Sequence, residues 1–351
     1  MILSHDEITP AVLTELLTAS GVAAGAEVVS FESASVGTGQ VGENVRYRLT
    51  WSTEPGDRPT SVVGKFPALD EKSRATGVAT RSYERESQFY AHIADTVDIR
   101  IPHCHHVDLD VESGSFMLLL EDLAPRTQGD QLDGCRDGEA EAAVDELVGL
   151  HAPRWNDPTL DEHDWMSRRD PESSGATGMI FTAVFDGFVE QIGPHMDEVH
   201  VEVARRLLPR IGDWLTPAAG PQSVTHGDYR LDNMLWAPGE RLAVVDWQTT
   251  GHGSPFTDLA YFIGTGLDGP AQAAHTSDLF DRYVDGLVAR GVDVDRAEAW
   301  TGVRRGALAG LMMAVVASQI VGQTERGDVM FAAMADRSAS LALQLDTFDT
   351  F

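Results

Sequence analysis

The chain has 351 residues, enough for one large domain or for two lobes with a core each. Its content of 42% hydrophobic and 23% charged residues is typical of a soluble globular protein and excludes a disordered or fibrous chain. The formal net charge of −29 excludes the basic footprint that a nucleic-acid-binding protein needs, and favours a cationic or neutral substrate only weakly.

The cysteine content and the N-terminus bear on the cellular compartment. Cys104 and Cys135 are the two cysteines, so we expect no disulfide framework and a cytoplasmic protein. The first ten residues, MILSHDEITP, contain no basic segment, so we expect no signal peptide. The apolar run 306–322 is barely long enough to span a membrane and contains Ser318 and Gln319. We therefore expect a buried core helix, not a membrane-spanning one, and no association with a membrane.

The first third of the chain predicts a small sheet with helices. Thr9 and Pro10 are typical of a helix start, and Gly21 of its end. Alternating apolar residues and glycine-containing turns then predict strands, and a longer amphipathic run predicts a helix. The predicted strands are 27–35, 43–51, 60–67, 104–109 and 115–122, and the predicted helix is 81–97.

Beyond residue 122 helical patterns dominate. The predicted helices are 138–152, 177–197, 199–215, 271–290, 295–322 and 328–345, and short strands are predicted near 223–225, 234–236 and 242–245. We therefore predict an α+β fold with two lobes: an N-lobe, 1–122, with an antiparallel sheet and a helix, and a mainly helical C-lobe, 123–351. The sequence does not fix the oligomeric state.

Gly37, Gly39 and Gly42 form a G-x-G-x-x-G motif. The dinucleotide-binding version of this motif requires a helix after it, whereas 43–51 reads as a strand, so an NAD-linked oxidoreductase would rest on the glycines alone. A glycine hairpin whose backbone N–H groups cover phosphates fits the context better, and a plain tight hairpin is the alternative.

Lys65 lies in the apolar run VVGKF and is one of two lysines among 26 basic residues. A buried ammonium is costly unless an anion neutralises it, so its position favours contact with phosphate; a lysine at a sheet edge that reaches water is the alternative. Glu84 and Glu86 on the following helix are possible partners. We favour Glu86, because the apolar residues after it mark the packed face of that helix.

The segment HGDYRLDN, 226–233, carries a carboxylate and a carboxamide five residues apart, at Asp228 and Asn233. A carboxylate can orient an attacking hydroxyl, and a carboxamide oxygen suits Mg²⁺, which prefers oxygen ligands. Asp246 ends the apolar run LAVVD and is placed to be a second magnesium ligand. The alternative for each residue taken singly is a polar surface turn.

Together these motifs resemble the aminoglycoside phosphotransferase and choline-kinase-like superfamily, and most closely its ecdysteroid-kinase-like and related bacterial branches. The run HGDYRLDNMLW followed by VVDWQ carries the resemblance, and RESQFY, LLLEDLAP, LVGLHAPRW and GSPFTDLAY support it. The resemblance spans nearly the whole chain and implies a bilobal protein-kinase-like fold.

The resemblance also implies roles for individual residues. Asp228 would be the catalytic aspartate, Asn233 and Asp246 would hold Mg²⁺, and Lys65, oriented by Glu86, would contact the α- and β-phosphates of ATP. The backbone of Glu121, Asp122 and Leu123 would meet the adenine beneath the glycine loop of Gly37, Gly39 and Gly42. His226 would order the loop, and we infer that Arg230 contacts the transferred phosphate.

We accordingly expect an ATP- and Mg²⁺-dependent O-phosphotransferase that moves the γ-phosphate to a hydroxyl of a small molecule, with ATP in the cleft between the lobes. An antibiotic, an amino alcohol, a sugar or a steroid-like alcohol would each fit, and GTP remains open as the donor. The alternative is a catalytically inactive nucleotide-binding pseudokinase. Such proteins usually lose the lysine or a metal ligand, whereas this sequence retains them all.

Overall fold

A computed structural model describes residues 2–37, 42–166, 168 and 170–351. The chain forms two compact units. The first comprises Met1–Asp95, Ile101–Arg126 and Val245–Thr249, and the second comprises Thr96–Arg100, Thr127–Val244 and Thr250–Phe351. The short segment Val245–Thr249 therefore belongs to the first unit although the chain on both sides of it belongs to the second.

The first unit is built on a five-stranded antiparallel sheet. Its strands are β1 (Val28–Ser35), β2 (Gly42–Trp51), β3 (Ser61–Pro67), β4 (Cys104–Asp110) and β5 (Ser115–Glu121). Their order in the sheet is β1-β2-β3-β5-β4, so β3 is the central strand. Residues on β2 and β3 alternate between buried and less buried, which is the pattern of a sheet with one face on a core.

Helix α1 (Pro10–Ala19) covers one part of this core. Its N-terminus is capped by the Thr9 hydroxyl, which accepts from the backbone N–H of Val12, and Leu13 and Leu17 are fully buried. These two leucines join Tyr47 of β2 and other apolar residues in one cluster. The predicted start of this helix at the Thr9 cap is confirmed.

Two further helices follow β3. Helix α2 (Glu71–Ala79) is not among the predicted helices. It is capped at its N-terminus by the carboxylate of Asp70, which accepts from the backbone N–H of Ser73. Helix α3 (Ser82–Gln88) passes into a π-helical turn, Phe89–Ile93. The predicted helix 81–97 is therefore confirmed over nearly its whole length, but its second half is π- and 3₁₀-helical instead of α-helical.

The second unit is mostly helical. Its helices are α4 (Glu139–His151), α5 (Pro171–Gln191), α6 (Glu198–Leu207), α7 (Ile211–Leu215), α8 (Pro255–Gly266), α9 (Gly269–Ala289), α10 (Arg296–Gly306), α11 (Ala309–Ile320) and α12 (Glu325–Gln344). Helix α8 is buried along nearly its whole length and packs against α4, α10 and α12.

Short strands complete the second unit. They are β6 (Thr127–Gln128), β7 (Ser223–Thr225), β8 (Met234–Trp236), β9 (Ala243–Val244) and β10 (Gly251–Gly253). Strands β6, β8 and β9 form one antiparallel sheet, and β7 pairs with β10. The loop 226–233 leaves β7 and ends at β8, so its two ends are fixed by separate sheets.

Two long helices predicted from the sequence are divided in the structure. The predicted helix 199–215 breaks after Leu207, where Pro209 lacks the N–H that an α-helix needs. The predicted helix 295–322 breaks between α10 and α11, next to Gly306, whose missing Cβ lets the backbone approach within about van der Waals distance of Ala260 on α8.

Residues Arg296–Ile320 are long and apolar enough to cross a membrane by length and composition alone. Within their most apolar window, 56% is buried inside the protein. A core helix of a folded unit passes the same test.

Candidate active site

The glycine motif lies in the sequence between β1 and β2 of the first unit, and two of its glycines are among the described residues. Gly37 has a φ of +77°, a conformation that favours glycine. A Cβ at Gly42 would lie 3.2 Å from the carbonyl oxygen of Phe66 and 3.6 Å from Cε of Lys65, so a side chain there would crowd the central strand. Gly39 lies outside the described residues.

Lys65 lies on the central strand β3, and its side chain is 13% exposed. Its ammonium is 2.6 Å from Oε2 of Glu86, which is itself 3% exposed, and 3.0 Å from Oδ1 of Asp246. Glu84, the other acid considered from the sequence, pairs instead with Arg81 at 2.6 Å. The structure therefore joins Lys65 to one acid on α3 and to one acid 181 residues later in the chain.

These two carboxylates decide the charge of Lys65. Burial alone would lower the pKa of Lys65, but the charges of Asp246 and Glu86 outweigh that effect, so its pKa lies above the ordinary value. The ammonium is therefore permanently charged and is held at a fixed point, as a phosphate contact requires.

Asp246 belongs to the segment Val245–Thr249 of the first unit. Trp247, the residue after Asp246, anchors this segment. The indole of Trp247 is fully buried and stacks on Phe89, with ring centroids 3.9 Å apart and planes 3° apart. Asp246 has a φ of +69°, an uncommon conformation for a residue other than glycine. Its second carboxylate oxygen accepts from Nε2 of Gln248 at 3.2 Å.

Glu121, Asp122 and Leu123 follow from the end of β5. The backbone N–H of Glu121 donates to His103 at 2.8 Å, which continues the pairing with the segment before β4. Leu123 is 8% exposed, and its carbonyl accepts from the N–H of Arg126. Among the described residues, the backbone beyond the end of β5 is not paired along a full strand, and the side chain of Leu123 is apolar. A segment of this kind can line an aromatic base.

The side chain of Asp122 has a structural use. Its carboxylate accepts two hydrogen bonds from Arg46, at 2.7 and 2.9 Å, one from Ser61 at 2.6 Å and one from the N–H of Ala124 at 3.1 Å. Burial would raise the pKa of Asp122, but these donors outweigh it and lower the pKa. Asp122 thus joins β2, β3 and the chain after β5.

In the second unit, Asp258 holds the start of the loop 226–233. Its buried carboxylate accepts from the backbone N–H of His226 at 2.6 Å and from that of Gly227 at 3.0 Å. It also lies 3.3 Å from Nε2 of His151, whose Nδ1 is 2.7 Å from the hydroxyl of Tyr283. The loop is therefore fixed by α8, α4 and α9 together.

Asp228 lies in this loop with a side chain that is 13% exposed. Its carboxylate accepts from the hydroxyl of Tyr261 at 2.6 Å, from Nε of Arg230 at 3.1 Å to each oxygen, and from Nδ2 of Asn233 at 3.1 Å. Its backbone N–H donates to Nδ1 of His226 at 3.2 Å.

The donors around Asp228 decide its ionisation. Burial alone would raise the pKa of Asp228, but the charge of Arg230 and the hydrogen bond from Tyr261 outweigh it, so its pKa lies below the ordinary value. The carboxylate is therefore ionised at neutral pH, which suits the orientation of a hydroxyl more than the uptake of its proton.

The guanidinium of Arg230 contacts two carboxylates. Besides its contact with Asp228, it donates from Nη1 to Asp232 at 2.7 Å, and the same nitrogen lies 3.3 Å from the sulfur of Met330. Its side chain is 17% exposed. An arginine with this degree of burial supplies a fixed positive charge beside the carboxylate.

Asn233 directs its amide nitrogen to Asp228, to the backbone carbonyl at 2.9 Å as well as to the carboxylate. The carboxamide oxygen is the remaining acceptor of that side chain and has no hydrogen-bond donor among the residues that the structure describes. The side chain of Asp246 is 27% exposed and carries a carboxylate. Both groups are oxygen donors of the kind that Mg²⁺ binds, so the donor chemistry of the two predicted ligands fits the ion.

The structure thus brings Lys65, Glu86 and Asp246 together in the first unit, and Asp228, Arg230 and Asn233 together in the second. Sequence reasoning missed Tyr261. The sequence carries one indication of it, the spacing in DLAY. Asp258 and Tyr261 are three residues apart and therefore lie on one face of a helix, so if Asp258 contacts the loop 226–233, Tyr261 is expected to contact it as well.

Solved structures of phosphotransferases share this fold. Ethanolamine kinase of Plasmodium vivax gives a TM-score of 0.55 at 8% identity, over 92% of this chain and 83% of that one. Choline kinase of Cryptosporidium parvum gives 0.55 at 9% identity, over 90% and 89%. Macrolide 2′-phosphotransferase of Brachybacterium faecium gives 0.51 at 16% identity, over 92% and 96%. The predicted α+β, protein-kinase-like fold is confirmed.

Curated relatives match over a short stretch. Acyl-CoA dehydrogenase family member 10 of Mus musculus is 41% identical over 59 residues, which is 15% of this chain and 6% of that protein. Member 11 of Gallus gallus is 43% identical over 49 residues, 13% of this chain and 6% of that protein. The matched stretch therefore spans a small part of these relatives.

A sequence model of the phosphotransferase enzyme family matches residues 44–300, from β2 to α10. This range contains Lys65, Asp228 and Asp246 as well as both units' central elements. The predicted resemblance to a phosphotransferase family is confirmed, and the chain belongs to the phosphotransferase enzyme family.

Proposed function

We propose that the protein is an ATP- and Mg²⁺-dependent O-phosphotransferase that moves the γ-phosphate to a hydroxyl of a small molecule. The observation that carries the proposal is the Asp228 carboxylate, which is buried, ionised and fixed by three side-chain donors in the loop HGDYRLDN. A fixed acceptor of this kind orients a hydroxyl for attack on phosphorus.

The first unit supplies the groups for the donor nucleotide. Lys65 neutralises charge on the phosphate oxygens, and Glu86 keeps its ammonium in place at 2.6 Å. A Cβ at Gly42 would lie 3.2 Å from the carbonyl oxygen of Phe66 and 3.6 Å from Cε of Lys65, so glycine at this position leaves the surroundings of the ammonium open to phosphate. The backbone of Glu121, Asp122 and Leu123 lines the base.

The magnesium site is assigned to Asn233 and Asp246. When bound, Mg²⁺ neutralises negative charge that develops on the transferred phosphate group. The chain's own contribution is to hold the oxygen donors: the amide of Asn233 is oriented by Asp228, and the carboxylate of Asp246 by Lys65 and Gln248.

In the second unit Asp228 accepts the hydrogen bond of the acceptor hydroxyl and aligns its oxygen. Because its lowered pKa makes it a weak base, its main effect is alignment, and phosphoryl transfer through a loose transition state requires little early proton removal. Arg230 places its positive charge beside the phosphate as it is transferred.

The half-buried Cys104 and Cys135 remain thiols, in accord with a cytoplasmic enzyme.

The test is ADP release from MgATP with a panel of hydroxyl acceptors, namely ethanolamine, choline, kanamycin, erythromycin, glucose and a hydroxysteroid, with MgGTP as a parallel donor. We expect at least one acceptor to raise ADP release well above the rate with water. If MgATP and MgGTP are both inert with every acceptor and with water, while ADP still binds, the protein is the nucleotide-binding regulator instead.

Asp228→Ala separates chemistry from binding in the same assay. We expect a loss of turnover of about 1,000-fold or more with ADP affinity nearly unchanged, because Asp228 acts on the acceptor side. Asp278→Ala is the matched control, since Asp278 is an exposed residue of α9. Full activity of Asp228→Ala would rule out the proposed mechanism.

A further inference from the structure

Tyr261 lies on α8, one turn after the Asp258 that braces the loop. It is 2% exposed, and its hydroxyl donates to Oδ1 of Asp228 at 2.6 Å. This is the shortest contact that Asp228 makes among the described residues, and a bond from a hydroxyl to an ionised carboxylate at this distance is of the strong, charge-assisted kind.

The acceptor sites of the Asp228 carboxylate are already in use. An ionised carboxylate has about four lone-pair sites on its two oxygens. In the part of the chain that the structure describes, Tyr261 binds one oxygen, Asn233 binds the other, and Nε of Arg230 lies 3.1 Å from both. An acceptor hydroxyl therefore has to replace one of these donors before it can bind Asp228.

The three donors differ in how firmly they are held. Arg230 and Asn233 each lie 3.1 Å from the carboxylate, but Asn233 also donates to the backbone carbonyl of Asp228 at 2.9 Å, which keeps it in place. Arg230 has a second acid, Asp232, at 2.7 Å, to which it can turn fully. Tyr261 makes the short contact and extends from a helix packed between α4, α10 and α12. The hydroxyl of the acceptor therefore takes the place of Arg230, while Tyr261 stays.

We infer that Tyr261 is a positioning residue, which holds the plane of the Asp228 carboxylate so that the acceptor hydroxyl meets it in one orientation. The inference rests on the proposed function, because it assigns Tyr261 an effect through Asp228. Without the hydroxyl of Tyr261, and with Arg230 replaced by the acceptor, Asn233 is the one side-chain donor among the described residues that still holds the carboxylate, so its plane can turn about the Cβ–Cγ bond. A displacement of about 1 Å at a reacting group costs roughly 100-fold in rate.

The experiment replaces Tyr261 by Phe, which removes one oxygen atom and keeps the ring. The probe is MgATP, with water as the acceptor and with any active alcohol of the panel. We expect kcat to fall about 10- to 100-fold while KM for ATP and the affinity for ADP stay within about twofold. A kcat within twofold of the unmodified protein overturns the inference, as does an equal loss of nucleotide affinity.

A double-mutant cycle shows whether Tyr261 acts through Asp228. Tyr261→Phe is combined with Asp228→Ala, and the rates of the four proteins are compared. We expect the double variant to match Asp228→Ala, because a positioning residue has no further effect once the residue it positions is gone. A further loss in the double variant would show that Tyr261 acts independently, and would overturn the inference.

The same four proteins can be compared by their unfolding midpoints in guanidinium, a measurement that does not depend on catalytic activity. Non-additive midpoints for Tyr261→Phe and Asp228→Ala support the contact, and additive midpoints overturn it. Tyr47→Phe is the control for loss of a buried phenol hydroxyl, since Tyr47 is 1% exposed and lies on β2 in the core of the first unit. Full activity of Asp228→Ala, in contrast, contradicts the proposed function itself.

Discussion

The residue Lys65 shows how burial and chemistry combine at a single position. Its ammonium is stabilised by two carboxylates, and its cross-strand partner on β5 is the apolar Leu118. A buried ion pair of this kind contributes little net stability relative to an apolar pair, but the loss of one partner leaves a buried charge unpaired. Its retention therefore indicates a use for the charge.

Replacing Lys65 by Ala tests this at the residue scale. We expect the free energy of unfolding to fall by about 3–5 kcal/mol, because Glu86 is left as an unpaired buried carboxylate, and we expect ATP affinity to fall as well. Guanidinium unfolding and ADP titration measure the two effects. The other lysine, Lys72, is exposed, so Lys72→Ala is the control and should change neither. Equal behaviour of the two variants would contradict the assignment.

Asp122 gives a pH-dependent prediction. Its pKa is lowered in the folded protein, so its stabilising effect is present above the unfolded value, about 3.9, and is lost as the pH falls through the folded value. We expect Asp122→Asn to cost roughly 2 kcal/mol at pH 7, because hydrogen bonds from Arg46 and Ser61 lose their charged acceptor.

The difference between Asp122→Asn and the unmodified protein should shrink at about pH 3, measured by guanidinium unfolding at both pH values. Asp57→Asn, at an exposed turn of the same unit, is the control. A difference that stays constant between the two pH values would show that the charge of Asp122 is not the cause.

Among the elements, helix α8 both packs in the core of the second unit and contacts the loop that carries Asp228. Its Asp258 holds the backbone of the loop, its Tyr261 contacts Asp228, and its small residues allow close packing with neighbouring helices. The sequence did not mark this helix as a separate element. An amphipathic pattern identifies a helix with one solvent face, and α8 is buried along nearly all of its length.

Helix packing around α8 gives a prediction at the element scale. A Cβ at Gly310 on α11 would lie 2.5 Å from Cγ2 of Thr265 and would also overlap the hydroxyl of Ser338 on α12. We expect Gly310→Ala to destabilise the protein by about 1–3 kcal/mol through overpacking. Gly175 on α5 has open space around its Cβ position, so Gly175→Ala should be neutral or stabilise by up to about 1 kcal/mol. Thermal unfolding of both variants measures this, and a reversed order would contradict it.

For the whole molecule, the net charge of −29 dominates surface electrostatics. Like charges repel in the compact state, and salt screens that repulsion over a length of about 10 Å at 0.1 M. We expect the midpoint of thermal unfolding to rise by a few degrees when NaCl is raised from about 20 mM to about 300 mM. KCl should act alike, because screening does not distinguish the two cations. A fall in the midpoint would show that surface ion pairs outweigh the repulsion.

The candidate site was predictable in part. The residue types and spacing of Asp228, Asn233 and Asp246 are visible in the sequence because they lie in short motifs next to strands. The choice of Glu86 over Glu84 as the partner of Lys65 followed from the apolar residues that share its helix face. Tyr261 was missed although it shares a face of α8 with Asp258, because the packing of this helix decides which of its side chains reaches Asp228, 33 positions away.

The sequence by itself determined the fold class, the family and most strand positions, because local periodicity, glycine turns and compact motifs carry that information. Tertiary structure decided that Val245–Thr249 joins the first unit and that the hydroxyl of Tyr261 donates to Asp228. Those features depend on contacts between residues far apart in the chain. Such contacts are selected by how whole elements pack, and no local pattern records them.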